Sequence, residues 1–290
     1  MPPEGNRRLR VFDCHIHIQP WEQFHPAARE LMARGRPDAE RVRRALADPG
    51  ELLRLLDDEG IERAALVNYV APEVMGFTES VNDWVSRYVS GHEDRLVAVG
   101  SVHPRRTDDA AGETRRLFEE LGIRVLKIHP PHQLIAANAY RDGDAALGEI
   151  YATAERLGRP VMIHTGTSVF PGARNFPFAD PLPIDDVAID FPKLTLILAH
   201  AGRPLHSETA AFLARRHANV HLDLSGIPPR RLLDYLPRLE ELSPKCLWGT
   251  DYPSPGVLSM KKNVADFRAL PISGEAKERI LWSNAARLIG

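Results

Sequence analysis

Short aliphatic runs recur along the chain, and each is followed by a stretch that carries helix signals. Eight of these runs predict strands, at residues 10–18, 64–70, 96–103, 124–129, 160–165, 194–200, 219–225 and 245–251. The intervals between the ends of successive strands average about 33 residues, which is the size of one β–α–β unit. Strands so rich in Val, Ile and Leu are typical of a parallel sheet that is covered on both faces.

Eight alternating strand and helix units predict an α/β fold, a (β/α)8 TIM barrel formed as a single domain by residues 1–290. A doubly wound open sheet is disfavoured because no Gly-rich phosphate-binding motif follows any predicted strand. We expect residues 1–8 to form a loose arm and residues 21–47 to form an insert over the barrel mouth. After the eighth unit, residues 273–290 predict one extra C-terminal helix.

Composition and charge argue against several classes of protein. The chain has 37 basic and 39 acidic residues, and this balance disfavours nucleic-acid binding through bulk positive charge. It has no apolar run long enough to span a membrane and no apolar segment typical of a secretory signal behind its first residues. Cys14 and Cys246 are too few for a disulfide framework. We therefore expect a cytoplasmic protein whose partner is a small-molecule substrate, with no nucleic acid and no membrane.

Five histidines lie at the carboxyl ends of predicted strands. Active sites of α/β barrels are built at that end of the barrel, from residues that several different strands contribute. The sequence therefore predicts a polar site at the barrel mouth, and its histidines are His15, His17, His129, His164 and His200.

The first predicted strand has two chemically different faces. Side chains alternate along a strand, so Asp13, His15 and His17 are expected to point into the barrel. Two such imidazoles lie about 6–7 Å apart along the strand, close enough to bind one metal ion. The alternative is a pair of hydrogen-bonded core histidines. The other face is expected to pack against the outer helices, and it consists of Phe12, Cys14 and Ile16.

Three other predicted strands end in residues that are common metal ligands. His164 ends the fifth strand, His200 ends the sixth and Asp251 ends the eighth. Together with the first strand they bring four imidazoles and one carboxylate to one end of the barrel. This set suits Zn²⁺, with Mn²⁺ or Fe²⁺ as alternatives. An open coordination position would hold a water molecule and lower its pKa.

The fourth predicted strand places Lys127 and His129 on the same inward face. Lysine is rarely buried without a partner or a function. Lys127 is therefore expected to pair with Asp251 or Asp13, to bind an anionic substrate, or to carry a carbamate that bridges two metal ions. The carbamate is the least favoured of these alternatives.

Four motifs in this order resemble the amidohydrolase superfamily: residues 13–17 (DCHIH), 163–166 (IHTG), 199–202 (AHAG) and 249–253 (GTDYP). More narrowly they resemble the amidohydrolase-related branch that includes aminocarboxymuconate-semialdehyde decarboxylase. The resemblance extends over nearly the whole chain, to residues 284–288 near its end. Each motif alone is weak, whereas the ordered set is specific.

The resemblance implies a (β/α)8 barrel enzyme with one catalytic divalent metal ion, and plausibly a homodimer. By analogy, the metal ligands are His15, His17, His164 and Asp251, while His200 moves protons at the substrate. Binuclear members of the superfamily carry a carbamylated lysine on the fourth strand, but this branch is mostly mononuclear. A second metal ion on a carbamylated Lys127 is therefore not expected.

Two reactions remain open on this scaffold. The first is hydrolysis of an amide, lactone or ester in a small carboxylated molecule through a metal-activated water, with Asp251 or His200 accepting the water proton. The alternative is non-oxidative decarboxylation of a small aromatic or unsaturated acid. Arg174 and Arg203 lie in loops near the mouth, and either is a candidate for binding a substrate carboxylate.

Two further interpretations of these residues are less specific. The arginines are equally well explained as solvated loop residues or as partners of Asp180 and Glu208. A barrel with a structural metal or none would be a binding scaffold rather than an enzyme. The ordered set of histidines and Asp251 disfavours that interpretation.

Overall fold

A parallel sheet of eight strands is the frame of the molecule. The structure is a computed structural model that describes residues 9–290, so the arm expected at residues 1–8 lies outside it. In the described chain each strand pairs in parallel with the next. The strands are β1 (Phe12–Ile16), β2 (Arg63–Val67), β3 (Leu96–Gly100), β4 (Val125–Ile128), β5 (Val161–His164), β6 (Leu196–Ala199), β7 (Val220–Asp223) and β8 (Cys246–Leu247).

Hydrogen bonds bring the last strand back against the first. The Cys14 N–H donates to the Trp248 carbonyl at 2.8 Å, and the Asp251 N–H donates to the His15 carbonyl at 2.8 Å. The sheet is thereby nearly closed on itself, and helices lie between its strands. The predicted (β/α)8 barrel is confirmed.

Helices occupy the connections between the strands. None of those in residues 9–290 is long and apolar enough to cross a bilayer. The helices are α1 (Pro26–Ala33), α2 (Ala39–Ala47), α3 (Pro49–Glu59), α4 (Ser80–Val89), α5 (Ala110–Glu119), α6 (Pro130–Gln133), α7 (Ala145–Arg156), α8 (Asn175–Phe178), α9 (Ile184–Asp190), α10 (Ser207–Arg216), α11 (Leu232–Tyr235), α12 (Leu239–Leu242), α13 (Met260–Arg268), α14 (Gly274–Glu278) and α15 (Asn284–Ile289).

The extra C-terminal helix is confirmed, with one irregularity. A π-helical turn at Arg279–Ser283 connects α14 to α15, so the helix runs on through both. Its buried residues include Ile280 and Leu281. The Ile280 carbonyl accepts a hydrogen bond from the Trp248 N–H at 2.9 Å, which attaches this helix to the chain after β8.

The insert after β1 consists of a short 3-10 turn followed by α1 and α2. Arg36, between these helices, donates to the Pro253 carbonyl at 2.6 Å and to the Val257 carbonyl at 2.9 Å. The Tyr252 hydroxyl donates to the Asp38 carboxylate at 2.8 Å. The insert is therefore fastened to the loop that follows β8, at the carboxyl end of the barrel.

Apolar side chains fill both faces of the sheet. Residues such as Leu126, Ile163 and Leu198 belong to the cluster that packs the strands against the helices. Alternate residues, such as Met162 and Ile197, belong to a second buried cluster, which also includes residues of α1, α4 and α15. This alternation is the period of two expected of a strand that is buried on both faces.

The first strand departs from the alternation that the sequence predicts. Between Asp13 and Ile16, β1 advances three residues while its partner β2 advances two, which is the signature of a bulge. Phe12 and Cys14 consequently join the second cluster, where the Phe12 ring lies 6.0 Å from that of Trp282 in the C-terminal helix and Cys14 lies beside Asp223, so the expectation that Cys14 packs against the outer helices was wrong. His15, which lies within the bulge, still faces the inner side of the barrel and lines a cavity there.

The Asp13 carboxylate holds the bulge and the seam between β1 and β8. Its Oδ1 accepts the His15 N–H at 3.1 Å and the Thr250 N–H at 3.0 Å. Its Oδ2 accepts the Thr250 hydroxyl at 2.6 Å. Asp13 is fully buried, so these three bonds replace the water that the carboxylate lost on folding.

We predict that Asp13→Ala lowers the free energy of unfolding by about 3 kcal/mol, because it removes three hydrogen bonds and leaves buried donors unpaired. Urea unfolding followed by circular dichroism measures this change. Asp58→Ala is the matched control, since Asp58 lies exposed on α3 in a surface ion pair with Arg41. That variant should change the free energy by less than about 0.5 kcal/mol. Equal stability of the two variants would contradict the role assigned to Asp13.

Candidate metal centre

The carboxyl ends of the strands surround a cavity of about 330 Å³. Of the residues that the sequence predicts for the site, all but Arg174 line it. The polar and aromatic side chains along its wall include His15, His17, Tyr69, Lys127, His129, His132, His164, Ser168, Phe170, His200, Arg203, Tyr235 and Asp251.

Three of the predicted ligands converge on one point. The candidate ligand atoms of His15, His17 and Asp251 all lie within 4.8 Å of one another, the only such group of three found in residues 9–290. The Nε2 atoms of His15 and His17 are 3.3 Å apart, and His17 Nε2 is 3.1 Å from Asp251 Oδ1. These distances suit three ligands of a single ion.

Hydrogen bonds on the far side of each ring fix where the imidazole protons lie. His15 Nδ1 is 2.5 Å from Asp223 Oδ2, and His17 Nδ1 is 3.1 Å from the Val67 carbonyl. Both partners are acceptors, so each Nδ1 carries the proton and each Nε2 of a neutral ring presents a lone pair. Burial lowers the pKa of His15 to about 4, which keeps this ring neutral.

Three electron-pair donors therefore face one another at the point of convergence. Two imidazole nitrogens and the Asp251 carboxylate would repel without a cation between them. Metal-bound histidines usually donate their second N–H to a carboxylate or a backbone carbonyl, as His15 and His17 both do. The donor set thus fits a divalent metal ion.

Asp251 is held in place from several sides. Burial acts to raise its pKa, but the facing imidazoles and the Arg203 guanidinium outweigh burial, so the pKa lies below its usual range. The Ser254 hydroxyl donates to Oδ1 at 3.0 Å, and Arg203 Nη2 donates to Oδ2 at 3.3 Å. Its φ of 69° is in the left-handed region, a strain that is common at functional sites.

His164 lies in the same cavity but outside the cluster of three. Its Nε2 is buried and has no hydrogen-bond partner among the described residues. The ring stacks on His129, with centroids 3.8 Å apart, and its centroid is 4.6 Å from that of His200. A buried ring nitrogen without a hydrogen-bond partner fits the expected fourth ligand.

His200 is oriented by the chain that follows β7. Its Nδ1 is 3.0 Å from the Ser225 hydroxyl and 3.1 Å from the Ser225 carbonyl. The carbonyl only accepts, so Nδ1 carries the proton and Nε2 is the acceptor nitrogen. Burial and the charge of Arg203 lower the pKa of His200 well below its usual value, so the ring is neutral. The neutral ring therefore places an acceptor nitrogen at the cavity wall.

Lys127 is fully buried, and its Nζ has no hydrogen-bond partner in the described chain. Burial lowers its pKa to about 8, against the opposing charges of Asp223 and Asp251. It forms no ion pair with Asp251 or Asp13 among those found in residues 9–290, so the expected pairing is not observed. His129, which also lines the cavity, has an unpartnered Nδ1 as well.

The two loop arginines occupy different places. Arg203 contacts the Asp251 carboxylate at 3.3 Å and does not pair with Asp180 or Glu208. Arg174 is exposed and is absent from the cavity lining, so the structure does not bring it to the site. Of the two candidates for binding a substrate carboxylate, only Arg203 adjoins the cavity.

The sequence interpretation missed Asp223 and Ser225, the partners of His15 and His200. Their signal was present, because they alternate at the carboxyl end of the seventh predicted strand, as His15 and His17 do in the first. It also missed Tyr69, whose hydroxyl lies 3.1 Å from His132 Nδ1 within the cavity wall. Cys14 was expected to face away from the ligands, but its thiol lies beside Asp223, which together with burial raises the pKa of the thiol.

Comparisons with solved structures show the same fold over nearly the whole chain. A TIM-barrel protein of Bordetella bronchiseptica, Bb4693, is 24% identical with a TM-score of 0.76, over 97% of this chain and 98% of that one. The 2,6-dihydroxybenzoate decarboxylase of Rhizobium is 18% identical with a TM-score of 0.68, over 97% and 99% of the two chains. The 5-carboxyvanillate decarboxylase of Novosphingobium aromaticivorans, solved with manganese and 4-hydroxy-3-methoxy-5-nitrobenzoic acid, is 17% identical with a TM-score of 0.65, over 98% and 96%.

No curated protein matches the sequence. The family model described as amidohydrolase matches residues 12–290, which includes every strand of the barrel and every candidate ligand. Members of this family bind a divalent metal ion, and the cluster of His15, His17 and Asp251 provides a site for one. The chain is an enzyme that belongs to the amidohydrolase family.

Proposed function

We propose that this enzyme is a metal-dependent, non-oxidative decarboxylase of a small aromatic or unsaturated carboxylic acid. The observation that carries the proposal is Lys127, a buried cation without an anionic partner beside the candidate metal cluster. A cavity with such a charge favours an anionic ligand. The two decarboxylases of similar fold support the choice of reaction.

One divalent ion, Zn²⁺ or Mn²⁺, completes the site. His15, His17 and Asp251 would hold it, with His164 as the fourth ligand. Nitrogen and carboxylate donors suit both ions, and manganese is present in one decarboxylase of similar fold. When bound, such an ion supplies Lewis-acid chemistry towards substrate oxygens.

Four basic residues of this chain have separate roles in the proposed reaction. Lys127 and His129 bind the anionic groups of the substrate at the cavity wall, and Arg203 keeps Asp251 ionised and in place. His200 accepts a proton at Nε2 from a substrate hydroxyl or from solvent. When the carbon–carbon bond breaks and CO₂ leaves, the electron pair of that bond stays on the substrate carbon. This carbon then takes the proton from His200.

Hydrolysis is the second candidate, and one observation favours it. Asp251 is ionised and His200 presents an acceptor nitrogen, so two bases adjoin the cavity. Either would take the proton of an attacking water and return it to the leaving group of an amide, lactone or ester.

A substrate panel distinguishes the two reactions. The purified enzyme, loaded with Zn²⁺ or Mn²⁺, is incubated with hydroxybenzoates and small unsaturated acids while CO₂ release is measured. A parallel panel of amides, lactones and esters is followed with a pH indicator. CO₂ release supports the decarboxylase, and proton release from the second panel alone would replace it with the hydrolase. No turnover in either panel would contradict both.

We predict about one equivalent of divalent metal per chain by elemental analysis, and its loss in the double variant His15→Ala/His17→Ala. His92→Ala is the matched control, since His92 precedes β3 at the opposite end of the barrel and should leave the metal content unchanged. About two equivalents in the wild type would contradict the mononuclear site and favour a carbamate on Lys127. No metal after reconstitution would contradict the proposed function.

We predict opposite effects of Lys127→Met on stability and on turnover. Replacing an unpaired buried ammonium with an apolar side chain should raise the thermal unfolding midpoint, because a desolvated charge is removed. The same change should lower kcat/KM by about 100-fold, since the anionic substrate loses its counter-charge. Lys193→Met, at an exposed position, is the control and should change neither. Unchanged kcat/KM in Lys127→Met would remove Lys127 from the substrate site.

A further inference from the structure

The carboxyl end of β7 contacts two of the site histidines, although it supplies none of the predicted ligands. Asp223 Oδ2 is 2.5 Å from His15 Nδ1, and both side chains are fully buried. Two residues later, Ser225 contacts His200 Nδ1 through its hydroxyl and its carbonyl. The Nδ1 sides of both rings are thus occupied by the same short segment.

Asp223 is itself fixed in position. Its Oδ1 accepts the Ser225 N–H at 2.8 Å. The backbone of Gly249 lies against the pair, because a Cβ on that glycine would be 2.7 Å from Asp223 Oδ1 and 2.9 Å from His15 Cβ. The Gly249 backbone therefore closes one side of the Asp223–His15 pair.

The two histidines of the cluster have unequal partners. His15 donates to a carboxylate, whereas His17 donates to the neutral carbonyl of Val67 at 3.1 Å. A hydrogen bond to an ionised acceptor is about twice as strong as one between neutral groups. It also makes the imidazole a more basic ligand.

We propose that β7 is the positioning strand of the site. Asp223 fixes the tautomer and orientation of His15 and so determines the affinity for the metal ion, while Ser225 orients His200 without contributing to that affinity. Asp223 is a positioning residue and does not touch the substrate. This inference rests on the metal site of the proposed function.

Metal affinity is the direct test. Apo wild-type, Asp223→Asn and Ser225→Ala proteins are titrated with Zn²⁺ in competition with a chromophoric chelator. Asp223→Asn should bind Zn²⁺ about 10- to 100-fold more weakly than the wild type. Ser225→Ala keeps the backbone N–H that holds Asp223, so its affinity should be unchanged. Equal affinity of Asp223→Asn and the wild type would overturn the inference and leave the metal site intact.

A spectroscopic readout separates positioning from loss of fold. In the apo protein, the His15 Nδ1 proton should resonate far downfield in the NMR spectrum because it lies in a short bond to a carboxylate. The resonance should vanish in Asp223→Asn and persist in Ser225→Ala, with the folded state of each checked by circular dichroism. Its absence from the wild type would overturn the inference.

A second variant keeps the inference testable if Asp223→Asn does not fold. Gly249→Ala leaves every side chain of the pair intact but crowds Asp223 Oδ1, so it should also weaken Zn²⁺ binding. If the wild type binds no Zn²⁺, the proposed function fails, and the downfield proton then decides by itself whether Asp223 holds His15.

Discussion

The meeting of three proton acceptors at one point is the constraint on which the rest of the site depends. His17 Nε2 lies 3.3 Å from His15 Nε2 and 3.1 Å from Asp251 Oδ1, yet the Nδ1 protons of both rings point to other acceptors. Such an arrangement is unfavourable for the bare protein, so the fold has to hold it together. It does so by placing the three residues at or just beyond the carboxyl ends of the first and last strands, where the barrel closes.

The backbone around the candidate metal site adopts several strained conformations. Positive φ angles occur after β8, at Asp251, and after β6, at His200 and Ala201. The first strand is bulged between Asp13 and Ile16, where its histidines begin. Conformations of this kind are tolerated only where the surrounding structure over-determines them. The Asp13 carboxylate and the apolar interior of the barrel provide that surrounding structure.

The spacing of the apolar runs was enough to predict the barrel. The His and Asp residues at the strand ends were enough to predict that most of the site residues meet in one cavity, because both patterns depend on residues that are close in the sequence. The face of Cys14 could not be predicted, since a bulge reverses the alternation and leaves no mark in composition. The contact of Asp223 with His15 joins residues 208 positions apart, so it depends on how the closed barrel sets strand against strand. The place of Arg174 depends on the path of a long loop, which residue pattern does not determine.

The attachment of the insert to the loop after β8 links the insert to the position of Asp251. Arg36 donates to the carbonyl of Pro253, which lies two residues beyond Asp251. Asp38 accepts the hydroxyl of Tyr252, which lies one residue beyond Asp251. The insert and the candidate metal ligand Asp251 are therefore connected through the loop that follows β8. A change in this segment that removes Arg36 or Asp38 would therefore also remove the hydrogen bonds that hold the loop carrying Asp251.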